Sequence, residues 1–149
     1  ELLSATVTEL VMLNEAALWR EKAGQGDSGD PLADAILTLT RAASTPSYVA
    51  ELELWAVSRT DAALRTTLRD AERRALGERE RVMDELFAPL KDAPGCEAVK
   101  ALSAEFARGL ALSSLLREDG RKTRSLVDGW IRAARLMIES EQSPRGDTP

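Results

Sequence analysis

The sequence predicts an all-α fold, and three observations carry that prediction. Alanine, leucine, arginine and glutamate, all good helix formers, dominate the 149 residues, while β-branched and aromatic residues are thin. Apolar residues recur at spacings of three and four through most of the chain, the period of a helix face. The helix breakers fall between those runs. All six prolines and six of the nine glycines lie in or beside the gaps, leaving only Gly77, Gly109 and Gly129 inside periodic segments. We expect about six helices in one bundle.

The first helix should run from about Leu2 to Lys22, with Leu3, Val7, Leu10, Asn14 and Leu18 along one face. Gly24 to Gly29 reads as a loop, and Asp30-Pro31 as a cap with proline in the first helical position. A short second helix follows to about Ala43. Thr45-Pro46 or Ser47 should cap the third, which runs to about Arg59 and is apolar nearly all round, so we expect it to be central and buried. Asp61 can cap the long fourth helix, about Ala62 to Phe87. Its inward stripe is Leu64, Leu68, Ala71, Ala75, Val82 and Leu86. Its charged face, with Asp70–Arg74 and Arg81–Glu85 four residues apart, reads as solvated. The fifth helix should span about Glu97 to Arg117 and the sixth about Thr123 to Glu139. The polar segment 140–149 should be disordered.

Composition narrows the function. At 149 residues, 44% hydrophobic and 30% charged, the chain can bury one substantial core. No apolar stretch is long enough to span a bilayer and no signal segment is evident, so we expect a cytoplasmic protein with no membrane association. Histidine is absent and Cys96 is the single cysteine, which removes most zinc sites, histidine-based triads and any intrachain disulfide. The net charge of −5 gives the chain no basic surplus for nucleic acid. We expect no metal, no cofactor and no enzymatic activity. Cys96 lies at a helix start that would favour a thiolate, so a redox sensor is conceivable, against the plainer reading of a small residue in a loop. The chain opens at Glu1 already in helical register, as a C-terminal piece of a longer protein would.

Two features rise above this background. The fifth and sixth helices carry wide surfaces of small and apolar residues, including Ser103, Ala107, Gly109, Ser113, Gly129 and Ala133. By themselves they fit either an intermolecular seam or packing within one bundle. The other feature is the segment Leu52-Glu53-Leu54-Trp55-Ala56-Val57-Ser58-Arg59-Thr60-Asp61-Ala62-Ala63-Leu64-Arg65. It resembles the stretch joining two central helices in the ligand-binding and dimerisation domain of tetracycline-repressor-like (TetR family) transcriptional regulators. Gly109-Leu110-Ala111-Leu112 with Leu115-Leu116 resembles that family's penultimate helix, and the helix bearing Trp130 its last. The resemblance covers Leu2 to Glu139. The family's helix-turn-helix would lie upstream of Glu1.

The resemblance implies a homodimer built on the last two helices as a four-helix bundle with a two-fold mate. The contacts would be Phe106, Gly109, Leu110 and Ser113 on the fifth helix, with Trp130, Ala133, Ala134 and Met137 on the sixth. It implies a small-molecule effector bound among the other helices, in a cavity of a few hundred Å³. Effector binding would shift the first helix and the spacing of two DNA-reading heads, which must sit ~34–36 Å apart. DNA would be contacted only through the N-terminal domain.

Within such a domain Glu51 is the conspicuous residue, a carboxylate on the most apolar helix. An unpaired buried charge is very costly, so Glu51 either faces solvent or an arginine of a neighbouring helix, or lines the cavity. In the second case it would stand beside Tyr48 and Trp55, opposite Asn14, Met83 and Phe87, and suit an apolar ligand with one cationic or donor group. Trp55 could equally be core. Two other readings remain open: a structural or partner-binding bundle without a small-molecule site, and a helical enzyme working with Arg and Glu alone, which the solvated arginines of the fourth helix argue against.

Overall fold

The computed structural model describes residues 2–117 and 119–140, with side chains over 5–117 and 119–139. Six helices account for nearly all of them: α1 (Leu2–Gly24), α2 (Pro31–Ala43), α3 (Pro46–Val57), α4 (Ala62–Phe87), α5 (Cys96–Ser114) and α6 (Gly120–Ser140), with a 3-10 turn at Ala88–Leu90 between α4 and α5. No strand occurs among the described residues, so the fold is all-α. None of these helices is long and apolar enough to cross a membrane. The expectation of disorder over 141–149 and the side chain of Leu3 lie outside the described residues.

Local chemistry sets the helix starts. Asp30 precedes Pro31 and accepts the Ala33 N–H at 3.2 Å, while Asp61 accepts the Leu64 N–H at 2.9 Å, so α2 and α4 begin where the sequence places them. Thr45 stands at the start of α3 but caps nothing there; its hydroxyl turns back to donate to the Ala42 carbonyl. The fifth helix stops at Ser114 because the chain tightens into i→i−3 bonds from Leu115, Leu116 and Arg117. α6 starts three residues earlier than expected, with Asp119 accepting the Arg121 N–H at 2.8 Å.

The central helix is α2, not α3. Eight residues of α2 are buried, and it packs against every other helix. On α3 only Glu51 and Leu52 are buried, while Ala56 and Val57 face outward. α3 turns Tyr48, Glu51, Leu52 and Trp55 inward at helical spacing, Leu54 packs half-buried against the α1–α4 contact, and Ala56 and Val57 lie outside the core. The stripe read on α4 is buried at every position.

Apolar packing divides into two clusters. The larger gathers α2, the C-terminal half of α4, α5 and α6 around Ile36, Phe87 and Val99. The smaller joins Val7 and Val11 of α1 to Leu64, Leu68, Ala71 and Ala75 of α4. α1 and α4 run parallel, as the pairs Thr8–Arg74, Glu15–Arg79 and Lys22–Glu85 show. The two clusters therefore follow one another along the same pair of helices, with Glu15 and Arg79 between them. The expected ladder on α4 differs in detail. Asp70 pairs with Arg73 and Arg81 with Glu78, while Arg74 reaches Thr8 and Glu85 reaches Lys22.

Two glycines mark opposite constraints. A Cβ on Gly95, just before α5, would stand 2.6 Å from the Met137 carbonyl oxygen, so α6 approaches there as only glycine permits. A Cβ on Gly77, inside α4, would meet nothing within 4 Å. Gly95→Ala should therefore destabilise the protein by ~1–3 kcal/mol, the usual cost of overpacking. Gly77→Ala should stabilise it by ~0.5–1 kcal/mol through helix propensity. Urea unfolding of both variants checks the opposite signs; equal shifts would contradict the close approach of α6 to Gly95.

Candidate functional site

A cavity of about 80 Å³ lies where α1, α2, α3, α4 and α5 converge. Its apolar wall includes Leu18, Leu39, Met83 and Ala107, and its polar wall Asn14, Glu15, Tyr48, Glu51, Arg79 and Arg108. The volume falls well short of the few hundred Å³ expected from the resemblance. It is about half of the ~150 Å³ that holds a benzene ring.

The polar wall is built from the helices upward. On α1 the inward row Val7, Val11, Asn14 and Leu18 places an amide in the core, and Asn14 is only 7% exposed. Its Nδ2 donates to Glu51 Oε2 at 2.5 Å and to the Ser47 carbonyl at 3.3 Å, tying α1 to α3. Beside it Glu15, 8% exposed, accepts Arg79 Nε at 2.8 Å. Arg79 comes from α4, and its Nη1 donates to Glu72 Oε2 at 2.6 Å. From α5, Arg108 lays its guanidinium over the Trp55 ring at 4.8 Å, and bonds Glu105 and the Tyr48 hydroxyl.

Burial shapes the protonation of these groups. Glu51 is 3% exposed. Its desolvation, together with a hydrogen bond shared with Glu72 and that residue's charge, pushes its carboxyl up to about 7, against the Asn14 donor and the Arg79 charge. Glu72 goes the other way. Burial opposes its charge, but the bonds from Glu51 and Arg79 outweigh burial and hold its carboxyl below the usual range. Desolvation also raises Glu15, although Arg79 counters it. Burial works against the Arg79 cation, yet the bond to Glu72 and the charge of Glu15 keep it protonated.

The cluster is incompletely satisfied. Asn14 Oδ1 and Glu15 Oε2, both on the cavity wall, are buried without a hydrogen-bond partner, as is Arg108 Nε across from them. Trp55 Nε1 is likewise unpartnered, on a residue that borders an outer groove. An unsatisfied buried polar group costs about 1–3 kcal/mol, and most are paired in native structures. Three such atoms on residues that line one cavity call for a polar occupant, water or ligand.

Of the residues read from the sequence, Asn14, Tyr48, Glu51 and Met83 come together on this cavity. Trp55 does not line it; it packs between the two apolar clusters and borders a shallow outer groove with Ser58, Arg65 and Glu72. Phe87, one turn beyond Met83, is fully buried in the core. Glu51 meets both descriptions offered for it, since it faces the cavity and also feels an arginine of a neighbouring helix. Glu15, Glu72, Arg79 and Arg108 were missed. Glu72 and Arg79 stand in register with the apolar stripe of α4, between Leu68 and Ala75 and between Ala75 and Val82, and both turn inward. A signal existed, because the stripe on α4 jumps from Ala75 to Val82 and Arg79 stands in the skipped turn. Cys96 offers no reactive thiolate, since it is buried and desolvation, with the nearby Glu97, raises its thiol.

The second predicted surface is divided. Phe106 and Trp130 stack at 5.8 Å between α5 and α6, and Trp130 Nε1 donates to the buried Ser103 hydroxyl at 3.0 Å. Gly109 and Ala133 are exposed, and Ser113 and Met137 partly buried. Leu110 and Ala134, however, belong to the chain's own core. They point away from the exposed face, which carries Leu102, Leu112 and Leu136 instead.

Among the described residues, no group of three or more His, Cys, Asp or Glu is placed to hold a metal ion. No protein-family model matches the chain, and neither a curated protein nor a solved structure is significantly similar to it.

The raised Glu51 carboxyl yields a pH-dependent prediction. Its folded pKa lies above the unfolded value, so the folded protein binds more protons across the interval from the ordinary glutamate range to about 7. Stability from this group is complete below that interval and falls as pH rises through it. Glu51→Gln keeps one donor and one acceptor, as the neutral acid does. It should match the wild type near pH 5 and exceed it at pH 8.5 by about 1–3 kcal/mol. Denaturant unfolding at the two pH values checks this; a difference that does not change with pH would place an ordinary ionised glutamate here.

Proposed function

We propose that the chain is the effector-binding and dimerisation domain of a ligand-responsive transcriptional repressor of the tetracycline-repressor type. The observation that carries this reading is the small cavity at the meeting point of five helices, with buried unpartnered polar atoms on its wall. Two further features support it. One is the sequence resemblance across the segment from Leu52 to Arg65. The other is the position of α1, which supplies Asn14 and Glu15 to the wall and is the helix that in the resembled family leads to the DNA-reading head. An occupant that changes the bonds of Asn14 or Glu15 acts directly on α1. With a net charge of −5, this chain leaves DNA contact to a separate N-terminal domain. A helix-turn-helix encoded just upstream of Glu1 would support the reading, and an unrelated domain there would contradict it.

The modest size of the cavity favours the second reading, a partner-binding helical bundle without a small-molecule site. The two separate on ligand binding, since a bundle of that kind leaves the cavity to water.

The dimer would form through the exposed face of α5 and α6. Leu102, Phe106, Gly109 and Leu112 follow one another at helical spacing on α5, Leu116 in the turn after it is 92% exposed, and Trp130, Ala133 and Leu136 lie on α6. Exposed apolar residues gathered on two adjacent helices, joined by the Phe106–Trp130 stack, suit an interaction site. A Cβ at Gly109 meets nothing within 4 Å in the protomer, so a larger side chain there has room unless a partner covers it. The wild type should sediment as a dimer at micromolar concentration. Gly109→Leu should weaken association by about 5- to 150-fold, the equivalent of ~1–3 kcal/mol of overpacking, without loss of protomer stability. A monomeric wild type, or a variant dimer of unchanged affinity, would remove the seam from this face.

A further inference from the structure

We propose that the cavity is a seat for a short organic ammonium cation, with its N–H groups directed to Asn14 Oδ1, Glu15 Oε2 and the Glu51 carboxylate. The inference rests on the reading of the cavity as a ligand site and adds the chemical class of the ligand.

Hydrogen-bond supply comes first. Two of the three unpartnered atoms on the wall are acceptors, Asn14 Oδ1 and Glu15 Oε2. The orientation of the Asn14 amide is fixed by its neighbours, because Nδ2 faces two acceptors, Glu51 Oε2 and the Ser47 carbonyl, leaving Oδ1 as the free atom. A free acceptor calls for a donor, and an ammonium group supplies three. Asn14 and Glu15 are both more than nine-tenths buried, so bulk water does not satisfy them.

Charge points the same way. The groups facing Glu51 are Asn14 and Glu15 from α1, Tyr48 from its own helix, Glu72 and Arg79 from α4, and Arg108 from α5. With all carboxyls ionised, Glu15, Glu51, Glu72 and the more exposed Glu105 stand against Arg79 and Arg108, so negative charge is in excess. Both cations are already engaged, Arg79 by Glu15 and Glu72, and Arg108 by Glu105 and the Trp55 ring. A bound monocation reduces that excess, whereas an anion would add to it. Without a ligand, the excess is reduced by keeping a proton on Glu51. Ammonium binding therefore displaces that proton, and affinity rises with pH. The apolar wall of Leu18, Leu39 and Met83 accepts a short alkyl chain, and about 80 Å³ limits the ligand to a few heavy atoms. Arg108 Nε, the one unpartnered donor on the wall, is the group an anionic occupant would use.

The test is an NMR titration of the chain with three probes of matched size: n-propylammonium chloride, n-propanol and sodium propanoate, each at pH 6 and 8.5. The expected result is saturable shifts of the Asn14 side-chain amide and of the Glu15 and Glu51 backbone amides with propylammonium. Its affinity should be at least tenfold above that of n-propanol, and about tenfold higher at pH 8.5 than at pH 6. Glu51→Gln should abolish the pH dependence and weaken propylammonium about tenfold while leaving n-propanol unchanged; should that variant not fold, the pH dependence in the wild type carries the same decision. Binding of n-propanol or propanoate at these residues as tight as that of propylammonium overturns the cation and leaves the ligand site standing. Shifts with none of the three overturn both, and assign the cavity to water.

Discussion

Arg79 is the residue on which the arrangement depends. Its guanidinium joins Glu15 of α1 to Glu72 of α4 in the space between the two apolar clusters. Each ion brought out of water there costs several kcal/mol, and mutual attraction repays that only with near-ideal geometry. Remove Arg79, and two partly buried carboxylates stand beside a third with no cation between them. The parallel packing of α1 on α4 carries the apolar clusters past this layer on both sides.

Such a layer does not serve stability alone. Buried ionic networks can often be replaced by apolar side chains at no loss, and this one keeps unpartnered atoms as well. Its value lies in what it joins. Asn14 and Glu15 belong to α1, Glu51 to α3, Glu72 and Arg79 to α4, and Arg108 to α5, so a change of proton or ligand at the cavity reaches four helices at once. Glu51 is the adjustable member, since it is the carboxyl whose charge the cluster suppresses.

Much of the fold was legible because local chemistry and periodicity agree. Asp30-Pro31 and Asp61 start α2 and α4 at the expected residues, and the stripe from Leu64 to Leu86 is buried throughout. The exchange of α3 for α2 at the centre came from treating apolar content as depth. α3 is richer in apolar residues, yet its inward face bears Glu51, while the threonines of α2 are buried because Thr38 and Thr40 bond their own helix carbonyls. Half of the polar wall was also legible. Asn14 fell on the apolar row of α1, and Glu51 stood out on an apolar helix. Arg79 and Glu72 did not, because a charged residue on a charged helix looks solvated until its partner on another helix is known. Glu15 and Arg108 escaped for the same reason. Leu110 and Ala134 were assigned to the outer seam since small and apolar residues surround both helices, and only tertiary packing separates the inner face from the outer.

The most direct measurement is the carboxyl carbon shift of Glu15, Glu51 and Glu72 followed through a pH titration by NMR. A proton held on Glu51 to near neutrality, with Glu72 ionised to well below the usual glutamate range, is the result that a cluster organised around Arg79 requires. Three independent titrations in the ordinary range would mean that the carboxylates are hydrated and apart, and that no such cluster exists.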